Sequence, residues 1–64
     1  MLNWTIKTDC YVASHNGHRF ELGEMRKGHW VLKHWDILKD NPQSDWYNVM
    51  NELEGKAIAE RLAQ

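Results

Sequence analysis

The sequence predicts a two-layer α+β domain, a three-stranded antiparallel β-meander with one C-terminal α-helix packed on one face. Stretches of alternating apolar and polar residues fill its first half. His15-Asn16-Gly17 and Arg26-Lys27-Gly28 separate these stretches, and each ends in the residue that best tolerates positive φ. Beyond Pro42 the apolar spacing lengthens to that of a helix. All 64 residues are assigned to one small domain, residues 1–64, with strands within 2–38 and the helix within 42–63.

The first strand, 3–13, places Leu2, Trp4, Ile6, Cys10 and Val12 on one side and Asn3, Thr5, Lys7, Asp9 and Tyr11 on the other. Register then chooses the turn. A two-residue Asn-Gly loop would set Val12 opposite Glu21 and turn Phe20 and Leu22 to the polar side. A three-residue loop with Gly17 left-handed pairs Val12 with Phe20 and Cys10 with Leu22, and is the expected arrangement. The same loop at Gly28 joins strands 18–25 and 30–37, pairing Leu22 with Leu32 and Glu24 with Trp30. Residues 29–39 also read as a helix with Val31, His34, Trp35 and Leu38 on one face; the Gly28 turn and the β-favouring Trp-Val-Leu select the strand.

Proline disfavours helical geometry in the residue before it, so the helix starts near Pro42. Either Asn41 caps it with Pro42 at the first helical position, or Ser44 caps it with Asp45 in the first turn. Trp46, Val49, Met50, Leu53 and Ala57 form the stripe that would cover the even-numbered sheet face. Trp46, Met50 and Leu53 are then expected to meet Trp4, Ile6, Cys10 and Phe20 in the core. After Gly55 the pattern shifts: either the chain bends there, or a second stripe of Tyr47, Ile58 and Leu62 faces something else.

A chain this short buries only ~60% of its unfolded surface, and four tryptophans supply much of the apolar area it needs. A single cysteine excludes an internal disulfide, and no apolar run is long enough for a transmembrane helix, so a cytoplasmic location without membrane contact is expected. Net charge is −1, but it is unevenly spread. Residues 1–35 carry Lys7, Arg19, Arg26, Lys27 and Lys33 against Asp9, Glu21 and Glu24; residues 36–64 carry Asp36, Asp40, Asp45, Glu52, Glu54 and Glu60 against Lys39, Lys56 and Arg61.

One helix can cover only one face of a sheet, so the odd-numbered face is expected to be open. Its rows are Ala13, Arg19, Trp35; Tyr11, Glu21, Lys33; and Asp9, Gly23, Val31. Tyr11, Arg19, Lys33, Trp35 and Val31 are the candidate partner-binding residues, an aromatic and Arg-containing set of the kind that dominates interfaces. Arg19 would lie over Trp35, and Glu21 would pair with Lys33.

The expected function is a small non-catalytic protein-interaction module, a regulator, adaptor or inhibitor whose proportions fit phage or mobile-element origin. The alternative is a DNA- or RNA-binding domain. In element order and in Gly28-His29-Trp30 the chain resembles the arm-binding N-terminal domains of phage integrases and related three-stranded plant DNA-binding domains, a resemblance that implies a sheet laid in the major groove. It is similar in element order to the MbtH-like proteins, whose Ser-Leu-Trp-Pro and Pro-x-Gly-Trp motifs are absent here. A protein partner is the first expectation, nucleic acid the second, and a homodimer a third. No catalytic residue, cofactor or metal is expected: Cys10, His15 and His18 match no standard zinc spacing, and the pairing of His18 with Asp36 lacks a nucleophile.

Overall fold

The computed structural model describes residues 2–40 and 43–64. It has a five-stranded antiparallel sheet in the order β1-β2-β3-β4-β5 and one C-terminal helix. The elements are β1 (Thr5–Ile6), β2 (Cys10–His15), β3 (His18–Arg26), β4 (His29–Asp36), β5 (Asp45–Val49) and α1 (Glu52–Leu62). The expected three-stranded meander is therefore corrected to five strands, within the same two-layer α+β class.

The first extra strand comes from a break in what reads as one strand. Lys7 N–H donates to the Cys10 carbonyl at 2.7 Å, closing a turn that folds β1 back on β2 with Ile6 opposite Tyr11. Directly opposed residues share a face, so even-numbered Trp4 and odd-numbered Tyr11 and Ala13 all lie on the helix side. The parity carried across Lys7–Asp9 in the sequence reading does not survive that turn.

The β2–β3 register is corrected with it. Val12 pairs with Glu21, Ala13 with Phe20 and Cys10 with Gly23, around a two-residue loop. Asn16 (φ 49°) and Gly17 (φ 81°) are both left-handed, the pattern of a type I′ turn, whose twist matches that of the strands it joins. Phe20 and Leu22 stay in the core, and it is β2 that is turned over. The β3–β4 hairpin follows the expected pairing, Leu22 with Leu32 and Glu24 with Trp30. A register shift lies between Glu24 and Arg26, and Gly28 (φ 79°) donates its N–H to the Glu24 carboxylate at 2.8 Å.

The second extra strand replaces the expected start of the helix. Asp45–Val49 alternates, with Tyr47 opposite Leu32 and Val49 opposite Trp30 on the core side, and with Trp46 and Asn48 on the other. Ser44 does not cap a helix: its hydroxyl accepts from Trp46 Nε1 at 2.7 Å, ahead of β5. The caps proposed at Asn41 and Pro42 lie outside the described residues. Asn51 is the N-cap instead; its side chain accepts from Glu54 N–H at 2.9 Å, and Glu54 reaches back to Met50 N–H at 3.2 Å. This is a capping box displaced by one residue at its return bond.

The face that α1 buries consists of small residues, Gly55, Ala59 and Ala63, flanked by Ile58 and Leu62. These meet Leu2, Ala13, Phe20, Leu22, Leu32 and Val49, with Trp4, Tyr11, Trp30 and Tyr47 at the margin. The expected core is thus corrected: Trp46 (59% exposed), Met50 (77%), Leu53 (79%) and Ile6 (77%) lie outside it. The Ile58/Leu62 stripe is the one that packs.

A Cβ on Gly55 would overlap Leu22 Cδ1 and lie 3.0 Å from Cδ2, and Leu22 is fully buried, with no room to give way. Gly55→Ala should therefore destabilise the fold, because overpacking costs ~1–3 kcal/mol against a helix-propensity gain of up to ~1 kcal/mol. An unchanged or raised urea midpoint would show that the helix is not held this close. In the same assay, Leu22→Ala should cost about 2–5 kcal/mol, whereas Leu53→Ala should stay within about 0.5 kcal/mol.

Candidate functional site

With α1 on one face, the other face of the sheet is built from alternate residues of four strands. Its rows are Ser14, Arg19, Trp35; Val12, Glu21, Lys33, Trp46; and Cys10, Gly23, Val31, Asn48. Arg19, Val31, Lys33 and Trp35 stand on this open face, as the register of β3 and β4 predicts. Tyr11 does not. It faces α1, where Lys56 Nζ lies 4.5 Å from its ring centroid and also binds Glu52 at 2.8 Å. A hydrogen bond to Glu52 raises the Tyr11 phenol above its usual range, with desolvation and the Glu52 charge acting the same way against the opposing charge of Lys56. Tyr11 is thus tied to the helix, and its place on the open face is taken by Val12 and Cys10. Ala13, also expected here, is buried in the core.

The open-face residue that sequence reasoning missed is Trp46. Five residues of strand placed it beside Lys33, whose Nζ sits 4.5 Å from the indole centroid. Arg19 bonds Glu21 at 3.5 Å along its own strand. These contacts stand in place of the expected Arg19–Trp35 and Glu21–Lys33 pairs. Both are surface interactions, with the ion pair worth ~0–1 kcal/mol and the cation–π contact about 0.5–1 kcal/mol, so they orient side chains more than they stabilise the fold. Val31 is buried although it lies outside the main core cluster, which makes it the apolar floor of this face. A groove of about 650 Å³ runs from there toward the Lys7–Asp9 turn, lined in part by Lys7, Cys10, Gly23, Met25, Val31 and Lys33.

The zinc candidates are separated by the sheet. Cys10 lies on the open face and His15 and His18 on the helix face, and among the described residues no group of three or more His, Cys, Asp or Glu is arranged to hold a metal. His18 lies opposite Asp36 and His34 opposite Phe20, as expected. Among the described residues no helix is long and apolar enough to cross a membrane. No protein-family model, curated protein or solved structure matches the chain.

Tyr11 and Trp46 should respond in opposite ways to truncation. Tyr11→Ala removes a side chain packed between core and helix, and should lower the melting temperature measurably. Trp46→Ala, at an exposed position, should leave stability within about 0.5 kcal/mol. Equal losses in thermal unfolding would put Trp46 in a structural role.

Proposed function

We propose that this chain is a small non-catalytic binding protein of the cytoplasm that engages a protein partner through the open face of its sheet, in the manner of a regulator, adaptor or inhibitor. The observation that supports this is the one-sidedness of the sheet. One face is filled by α1, while the other presents Trp35, Trp46, Lys33 and Arg19 around the buried Val31. Rigid aromatic side chains lose little conformational entropy on binding and fill pockets well, and the planar guanidinium of Arg makes several directed hydrogen bonds, which is why these residues dominate interface energetics. A protein is favoured over nucleic acid because Arg19 is matched by Glu21 and Lys33 rests on Trp46, leaving few uncommitted cations for phosphates.

The test compares the wild type with two paired variants of retained fold by circular dichroism: Trp35→Ala with Trp46→Ala, and Met50→Ala with Leu53→Ala at the exposed start of the helix. Each is used in pull-down from lysate, with and without nuclease, and the recovered protein is then titrated. Nuclease-resistant recovery should persist for the Met50/Leu53 pair. It should weaken by roughly thirtyfold or more for the tryptophan pair, the effect of losing one hot spot of about 2 kcal/mol. Equal affinity for all three would remove the open face from the reading. Nuclease-sensitive recovery that declines steeply with salt would transfer it to nucleic acid.

A further inference from the structure

On the helix side of the sheet, three rings are stacked across β3 and β4. Phe20 is fully buried, and His34 lies against it with centroids 4.8 Å apart and planes 16° from parallel. His18 stacks on His34 in turn at 5.1 Å and 24°. His18 Nδ1 and His34 Nε2 are 2.9 Å apart in a hydrogen bond, and His34 is only 8% exposed.

We propose that this histidine pair is a proton-sensitive latch holding the β3–β4 end of the sheet beside the Asn16–Gly17 turn. The hydrogen bond needs one nitrogen bearing a proton and one bearing a lone pair. The neutral pair satisfies this, and so does the singly protonated pair, in which one ring donates to the remaining lone pair of the other. A second proton does not: it fills the acceptor lone pair and sets two cations in contact, one of them buried. The bond must then open, and the neighbouring backbone loosens with it.

His15 lies opposite His18 at the hairpin end, with its Nε2 3.1 Å from Asn16 Nδ2. Asp36 lies opposite His18, with one oxygen accepting from Leu38 N–H, and Asp45 lies opposite His34 on β5. Lys39 follows in the turn after β4. The buried stripe of α1, Gly55, Ala59 and Ala63, brings no titratable group, and Arg61 is on its exposed side. Burial holds the His34 imidazole below its usual range and the His18 charge pushes the same way, as does Lys39, while Asp45 and Asp36 oppose them. The unfolded chain then binds more protons than the native one just below the ordinary histidine range of about 6.5. Stability from this pair is complete above that range and is lost as pH falls toward the native-state value of His34.

The experiment is an NMR titration of the wild type from pH 8 to 5 that follows both imidazoles and amide exchange. His34 should titrate below the ordinary histidine range. As it does, the Ile37 amide, which donates to the Gly17 carbonyl at 2.8 Å beside the pair, should lose protection severalfold more than the central Leu32 amide. His34→Phe keeps the ring stack and removes both proton and bond, and should flatten the pH dependence of the urea midpoint over this range. If that variant does not fold, His18→Gln, whose amide can still donate to His34, should reduce the loss of Ile37 protection. Titration of His34 within or above the ordinary histidine range would overturn the latch. Equal loss of protection at Ile37 and Leu32, or parallel pH profiles for wild type and a folded His34→Phe, would do the same.

Discussion

The two left-handed residues of the Asn16–Gly17 turn decide which side of the sheet each residue of β2 occupies. Because side chains alternate, one residue of slip would exchange Tyr11 and Ala13 with Val12 and Ser14. Ala13 sits opposite Phe20, a small residue beside a large one, and both are buried in the core. Val12 then faces solvent beside Glu21, completing the row that Lys33 and Trp46 continue across β4 and β5. The composition of the open face is thus a consequence of a turn at the end of the sheet.

The opposite face is governed by close approach. Gly55, Ala59 and Ala63 recur every four residues, presenting α1 with almost no side chain where it meets Leu22 and the centre of the sheet. Large residues come from the sheet and small ones from the helix, so the bulk of the core belongs to β3 and β4. The helix adds its larger apolar groups, Ile58 and Leu62, at the flank. Met50 and Leu53 are left outside because Met50 precedes α1 and Leu53 lies on the side of the helix opposite Gly55.

The β3–β4 hairpin was legible because its alternation holds over His18–Glu24 and Trp30–Asp36 and Gly28 marks the turn between them. That is also why Arg19, Val31, Lys33 and Trp35 were correctly sided and His18 was set opposite Asp36. The β1–β2 turn was not, since Lys7-Thr8-Asp9 carries no glycine or proline and leaves the parity of an apparent single strand intact. Tyr11 was missided for that reason. β5 was hidden because Trp46, Val49, Met50 and Leu53 imitate helical spacing, while the alternation beneath it lasts only five residues. Two signals did favour the observed arrangement: the β-favouring Trp-Tyr-Asn-Val run, and Asn51-Glu52-Leu53-Glu54, which has the residue pattern of a capping box and moves the helix start past β5.

β4 joins the two sides of the molecule. His34 points to the core between Lys33 and Trp35, which point to the open face, so one short run of backbone holds both the buried ring stack and two half-buried side chains of the open face. A strand is stiff only while its ladder and its packing persist, and at this end the ladder lies near the hairpin turn and the packing is a hydrogen-bonded pair of imidazoles. Trp35, paired with Arg19 one step from that end, depends on it more than Val31 does, which sits farther along β4 with β3 on one side and β5 on the other. The open face therefore has its floor at Val31 and a margin at Trp35, on the stretch of β4 that the His18–His34 hydrogen bond ties to β3.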